Sequence, residues 1–302
     1  MGQTQRLTVH TLQRVGLIAP LSLDDALDAL GAHPDAVVLA GGTDLMVDVN
    51  EARHRLVGDE TVVAVARVAE LRSWTHDPQA ATVHLGAGVT YAELERDPLA
   101  RLLPALAQAA RTVGSAQIRN AATIGGNLAT CSPAGDGLPV LAALGATVEL
   151  RGTGGTRHLP VAAFMTGVKQ TARQPGELIT AVTVPVLDGW QGYAKVGVRN
   201  AMVIAIAGAC LAVDVPSRSV RLALGSVAPT VVRATSAEAF AEGAVEWSTN
   251  AVSDADATTF GGLAAEAARP IDDHRASAAY RRHAVAVLSR RLLRRAFPHR
   301  LA

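Results

Sequence analysis

The sequence predicts a two-domain α+β protein, and three observations carry that expectation. Its 302 residues suit about two domains under ordinary size limits. From Gly189 onward three strand-like runs precede three helix-like runs, the order of a separate α+β unit. A Pro, an Asp and a Gly cluster around Val186–Gly189 and mark a boundary between residues 1–186 and 187–302.

The elements follow in chain order. Ser22 opens Ser-Leu-Asp-Asp, a helix-start signal for a helix to about Leu30. Ala36–Leu39 reads as a short buried strand that runs into Ala-Gly-Gly-Thr-Asp at 40–44. Thr61–Ala66 and Thr82–Gly86 are β-branched strand candidates. Thr90-Tyr-Ala-Glu93 spells a capping box, and Pro104–Val113 a further helix. Gly114–Ser132, rich in small residues and without clear period, reads as a long loop. Leu138–Leu144 is apolar enough for a buried helix, Thr147–Arg151 is a strand, and Leu178–Val184 is a strand ended by Pro185. Beyond the boundary the strand candidates are Gly192–Val198, Val203–Val213 and Val220–Ser226; the helix candidates are Ser236–Glu242, Asp254–Ala268 and Ala276–Ala296.

Composition removes whole classes of function. Hydrophobic residues make up 49% and charged residues 18%, a globular balance and not a disordered one. The 28 basic and 27 acidic side chains nearly cancel, so charge gives no case for nucleic acid or a membrane surface. The longest apolar run, Met202–Val213, is too short to span a bilayer. Met1–Thr11 lacks a secretory layout, which makes the expected location cytoplasmic. Two cysteines, Cys131 and Cys210, exclude a disulfide scaffold and a four-cysteine metal or iron–sulfur site held by this chain alone. No HExxH, GxSxG or GxxxxGK[ST] motif occurs, so no catalytic side chain and no metal site is assigned. All but two of the basic side chains are arginine; the exceptions are Lys169 and Lys195.

Two glycine loops stand out. Val38–Leu45 contains Gly41-Gly42 at the end of a strand, where glycines let backbone N–H groups approach a phosphate. Ala122–Asp136 contains Gly125-Gly126 together with Thr123, Asn127, Thr130, Ser132 and Asp136, side chains suited to a polyol. Either Gly-Gly pair alone is as compatible with a tight turn. Neither fits the dinucleotide fingerprint; the nearest string, Gly86-Ala-Gly88, has Tyr91 where a third Gly is needed. Asp136 is equally placed to cap a helix over 137–144, and Cys131, without a basic neighbour, reads as a packed side chain.

In this order and spacing the loops resemble the FAD-binding subunit of the molybdenum-containing hydroxylases, the medium chains of the xanthine and carbon monoxide dehydrogenase family. The resemblance spans most of the chain: Pro20–Leu27, Ala40–Asp44, Gly86–Thr90, Ile118–Leu128, Pro175–Ile179, Tyr193-Ala-Lys195 with Arg199, Gly225–Thr230 and Ser277–Arg281. It implies a two-lobed PCMH-type FAD domain, with its lobes split near residue 55, then a C-terminal domain of a small antiparallel sheet with helices. Leu39, Ala40, Gly41, Gly42, Thr43, Asp44 and Leu45, with Thr123, Ile124, Gly125, Gly126 and Asn127, would then wrap the FAD diphosphate through backbone N–H groups. Thr130, Ser132 and Asp136 would bond the ribityl chain, ribose or nearby phosphate oxygens. Ile179 would pack near the flavin and Lys195 would sit by its ring system, where a cation stabilises a reduced anion; the plainer reading of Lys195 is a solvated surface charge.

The resemblance further implies a large molybdopterin-binding partner and a small 2Fe–2S partner, assembled as a dimer of heterotrimers. Electrons would pass from those clusters through FAD to a terminal acceptor. Two departures accompany it: Val203 replaces an Asp that many members carry, and Val113 stands where some relatives place an aromatic beside the adenine. Two other readings stay open, a free-standing flavin oxidoreductase with its own small substrate and a non-catalytic scaffold whose Gly-Gly pairs are only turns.

Overall fold

Three larger sheets, one two-stranded sheet and a shell of helices make up the described residues, 16–51 and 60–298, of the computed structural model. The expected lobe split near residue 55 and the reading of Met1–Thr11 lie outside the described residues.

The first lobe alternates strands and helices: β1 (Gly16–Ile18), α1 (Leu23–Ala32), β2 (Val37–Leu39), α2 (Leu45–Asn50) and β3 (Thr61–Ala64). Its sheet is parallel in the order β1-β3-β2, a pairing that requires crossover connections. Ser22 caps α1 by accepting from Asp25 N at 3.1 Å, and Ala26 and Leu30, one turn apart, are buried. β2 is half-buried, not fully buried as its apolar run suggested, because one side of it lines the cavity described below.

The second lobe is an antiparallel sheet with a helical crossover. β4 (Trp74–Asp77) and β5 (Thr82–Gly86) precede six helices: α3 (Tyr91–Leu94), α4 (Leu99–Leu102), α5 (Pro104–Thr112), α6 (Ala116–Ala121), α7 (Ile124–Thr130) and α8 (Gly137–Leu144). Then come β6 (Thr147–Gly152), β7 (Gly155–Pro160), α9 (Val161–Phe164), the small hairpin β8 (Met165–Gly167) and β9 (Gln170–Thr171), and β10 (Leu178–Pro185). The sheet order is β4-β5-β10-β6-β7, so β10 returns to the centre. Val83, Leu85, Val148, Leu150, Val182 and Val184 alternate into the core.

The expected long loop over 114–132 is corrected: it holds α6 and α7. Ser115 and Thr123 cap them, accepting from Ile118 N at 3.3 Å and Gly126 N at 3.0 Å. At six and seven residues they are too short to show a helical period in sequence.

The C-terminal part is a meander, β11 (Gln191–Val196), β12 (Ala207–Asp214), β13 (Ser219–Gly225) and β14 (Val232–Arg233), backed by α10 (Thr235–Ala244), α11 (Asp254–Ala267) and α12 (Ala278–Ala296). The apolar run from Val203 is not one strand, since β12 begins only at Ala207. Every residue of α8 is buried, where it lies between β10 and the face of β12 and β13. Each such Leu or Val contributes roughly 1.5–3 kcal/mol, so α8 binds the two halves together. Gln108 on α5 adds a polar tie, accepting from Tyr193 N at 2.8 Å.

Candidate functional site

A cavity of about 970 Å³ opens where β2, α7, the 132–136 segment and the β11–β12 connection meet. That is the upper end of the size of small-molecule sites, enough for a ligand of dinucleotide size.

The first loop is shaped by a close approach. A Cβ at Gly41 would lie 1.8 Å from the Ala121 carbonyl oxygen, so no other residue fits there. Gly42 has φ +70°, the left-handed region that glycine adopts freely. Among the described residues the backbone N–H groups from Gly41 to Asp44 donate to no acceptor. Asp44 does not cap α2 with its side chain; its carboxylate accepts from Thr130 Oγ1 at 3.2 Å and ties the two loops together. The result is a run of donors held in place with no acceptor among the described residues, the usual make-up of an anion cradle.

The second loop behaves differently, because the N–H groups of residues 124–127 already have acceptors within the fold. Ile124 N donates to Val89 O at 2.9 Å, Gly125 N to Ala87 O at 2.8 Å and Asn127 N to Thr123 O at 3.0 Å, while Gly126 N serves the Thr123 cap. These donors are engaged within the fold. Gly125 is needed for packing, since its Cβ would stand 2.5 Å from that of Ala87. Asn127 Oδ1 accepts from the buried Tyr91 hydroxyl at 2.7 Å, which fixes the amide at the cavity wall.

Asp136 anchors a third cluster. It precedes α8 but makes no side-chain cap bond, which removes the capping alternative. Its carboxylate accepts from Tyr193 Oη at 2.7 Å, Lys195 Nζ at 2.6 Å and Thr112 Oγ1 at 3.2 Å. Burial pushes the Asp136 carboxyl above its ordinary range, opposed by the Lys195 ammonium and the three hydrogen bonds. Burial and the neighbouring Asp136 push the Tyr193 phenol well up, so it stays a donor.

Leu39–Leu45, Thr123, Gly125, Gly126, Asn127, Thr130, Ser132, Asp136 and Ile179 all line the cavity. Ile124 does not; it is fully buried in the core. Lys195 is neither on the cavity surface nor solvated. Its side chain is 9% exposed, and Asp136 stands between it and the cavity. Its ammonium donates to Thr112 O at 2.9 Å and Val203 O at 3.0 Å as well as to Asp136, so three acceptors occupy it. Lys195 therefore reaches the site through Asp136 and through the carbonyls of Thr112 and Val203. Burial also pushes the Cys131 thiol up, in keeping with a packed side chain.

Sequence reasoning missed Tyr193, Thr112 and Tyr91. One signal was available for the first: Tyr193 and Lys195, two apart on a strand, point to the same face. The other two join the site only through tertiary contact.

Two family models account for the chain. The FAD binding domain in molybdopterin dehydrogenase matches residues 13–187, and the CO dehydrogenase flavoprotein C-terminal domain matches 193–296. The chain belongs to the FAD-binding medium-chain family of the molybdenum hydroxylases. It is 34% identical to the nicotinate dehydrogenase FAD-subunit of Eubacterium barkeri over 210 residues, 67% of this chain and 69% of that one. It is 31% identical to a glyceraldehyde dehydrogenase medium chain of Sulfolobus acidocaldarius over 89% of this chain and 93% of the relative. Among solved structures, a carbon monoxide dehydrogenase of Hydrogenophaga pseudoflava matches at a TM-score of 0.83 and 28% identity, covering 94% of this chain and 97% of that one. The domain's cofactor is accordingly FAD, and the family's enzymes are oxidoreductases. The cavity fits that cofactor on its own geometry: free N–H donors over an obligatory glycine for phosphate, hydroxyl and carboxylate groups for a polyol, and the apolar Ile179 wall for a ring. Among the described residues no helix is long and apolar enough to cross a membrane.

Proposed function

We propose that this chain is the electron-transfer subunit of a molybdenum-containing hydroxylase or dehydrogenase, with FAD held in the cavity. The observation that carries this reading is the N–H run of Gly41–Asp44, which has no acceptor among the described residues and is fixed by the contact of Gly41 with Ala121. Those donors receive the diphosphate without a basic patch, which agrees with a net charge of only +1. Thr130, Ser132 and Asp136 take hydroxyl groups of the cofactor, and Asn127, locked by Tyr91, shapes the wall beside them. Ile179 packs against the ring. Lys195 acts through Asp136, keeping that carboxylate oriented and charged. Residues 1–186 form the FAD-binding unit and 187–302 the unit that closes the cavity; the change of sheet between β10 and β11 supports this division.

When bound, FAD supplies a junction between carriers of single electrons and an acceptor of pairs. The chain's own residues bind and orient it and bring no nucleophile or general base. The 2Fe–2S clusters that feed it belong to a small partner and the molybdopterin centre to a large one, in a cytoplasmic dimer of heterotrimers. Relatives that are named as subunits support separate partner chains: the chain is similar to a nicotinate dehydrogenase FAD-subunit and to a carbon monoxide dehydrogenase medium chain. Pull-down of the tagged full-length chain from its native host tests the assembly. A large molybdopterin-containing chain and a small 2Fe–2S chain should co-purify. A solitary flavoprotein whose FAD is reduced directly by a small substrate would contradict it and favour the free-standing oxidoreductase.

A further inference from the structure

Three cations converge on one piece of backbone. The connection between β11 and β12, residues 197–206, carries Met202, Val203 and Ile204 on the cavity wall. Lys195 Nζ donates to Val203 O at 3.0 Å, Arg199 Nε donates to Met202 O at 3.1 Å, and Arg281 Nη1 donates to Ile206 O at 2.6 Å. The first two belong to the same stretch of chain. Arg281 reaches in from the first turn of α12, 75 residues further along.

Arg281 also holds a second wall. Its Nη1 donates to Ser226 O at 2.9 Å. Ser226, with φ +63°, donates from its own N–H to Pro133 O at 2.8 Å. Pro133 lies within the segment whose Ser132, Gly135 and Asp136 line the cavity. One guanidinium therefore fixes both the 197–206 connection and, through Ser226, the 132–136 segment. Asp273 locks the guanidinium from behind, accepting from Arg281 Nη2 at 2.7 and 2.8 Å. Asp273 is itself set by N–H groups of Arg275 and Ala276 at 2.9 and 3.1 Å.

A packing role alone does not account for this side chain. Arg281 is 4% exposed and its Nε finds no partner among the described residues, so burying it is costly. An apolar residue would fill the space without that cost, whereas only a forked cation joins two carbonyls to one carboxylate. We propose that Arg281 is a positioning residue for FAD: through Ile206 and Ser226 it sets the separation of two cavity walls. The inference rests on the FAD reading above.

The test is titration of the full-length apo chain with FAD, following the dissociation constant, the visible spectrum of the bound flavin and the melting temperature of the apo chain. The variants are Arg281→Met, Arg281→Lys and Asp273→Asn. Arg294→Ala, on the same helix as Arg281 and breaking an exposed ion pair with Asp254 of α11, is the control. Arg281→Met should weaken FAD about ten- to a hundredfold, the scale of a lost charge-assisted hydrogen bond, and shift the bound spectrum. Arg281→Lys should recover part of the affinity, Asp273→Asn should lie between, and Arg294→Ala should bind as wild type. Wild-type affinity and spectrum in Arg281→Met would overturn the inference alone, as would an equal loss in Arg294→Ala. If Arg281→Met does not fold, unchanged affinity in both Arg281→Lys and Asp273→Asn overturns it. A wild-type chain that takes up no FAD overturns the FAD reading and this inference with it.

Discussion

Gly41 is the residue on which the site turns, because any Cβ there meets a backbone oxygen that cannot step aside. Gly41→Ala should abolish retention of FAD through gel filtration. Gly243→Ala, at a position in α10 where a Cβ meets nothing within 4 Å, should retain FAD and gain about 0.5–1 kcal/mol of stability. Comparing melting curves and bound flavin in the two variants separates the site from the fold. Lys195→Met tests the Asp136 cluster. Removing one partner of a buried pair usually costs about 3–5 kcal/mol, but Asp136 keeps two neutral donors and has a pKa already raised by burial, so it neutralises more readily. The loss should therefore be near the lower figure by denaturant unfolding and should shrink as pH falls. An equal loss from neutral to acidic pH would contradict that account.

Asp273 gives a pH prediction of opposite sign. Its hydrogen bonds from Arg275, Ala276 and Arg281 and the Arg281 charge outweigh burial and lower it from 3.8 to about 2. A carboxyl depressed on folding contributes stability that is complete above its unfolded value and disappears as pH falls through the folded one. Melting temperature should accordingly fall between about pH 4 and pH 2, and Asp273→Asn should flatten that limb.

Among the elements, helix starts were legible at four capping side chains and missed at two others, Ser115 and Thr123. Ser22, Thr90, Ser253 and Ser277 each accept from an N–H three residues on. Elements that depend on their neighbours were not legible. β4 and β7 are edge strands of largely exposed polar residues, without the alternation that marks a buried face. α6 and α7 exist because their caps and the contact of Gly125 with Ala87 impose them, not because of any period. The Met202–Val213 run shows the reverse error: apolarity reported burial correctly only from Ala205 on, while Met202 and Ile204 are about half exposed and serve the cavity wall, not a strand. At the α11–α12 contact, a Cβ on Gly261 would stand 2.6 Å from Ala286 O. Gly261→Ala should force the helices apart and cost about 1–3 kcal/mol, seen as a lower melting temperature. No change would mean that the helices already have room.

At the scale of the whole molecule, the cavity belongs to neither half alone. One wall comes from the parallel lobe, another from α7 and 132–136, and a third from the β11–β12 connection, with α8 buried between the sheets that carry them. This explains which parts of the site the sequence disclosed. The glycine motifs and polar side chains of the lining are contiguous in the chain and were readable. The engagement of the second loop's N–H groups and the place of Lys195 behind Asp136 depend on residues far apart in sequence, and only the fold reveals them. It also follows that ligand binding should stabilise both halves together. FAD at a hundred times its dissociation constant should add about 2.7 kcal/mol to a single melting transition, not to one of two.

The most direct measurement is the visible spectrum of the purified full-length chain after reconstitution with FAD and gel filtration. The geometry of Gly41–Asp44 predicts that a flavin spectrum travels with the protein at one FAD per chain and is lost in Gly41→Ala. A colourless wild-type protein, or a Gly41→Ala protein as yellow as wild type, would contradict it.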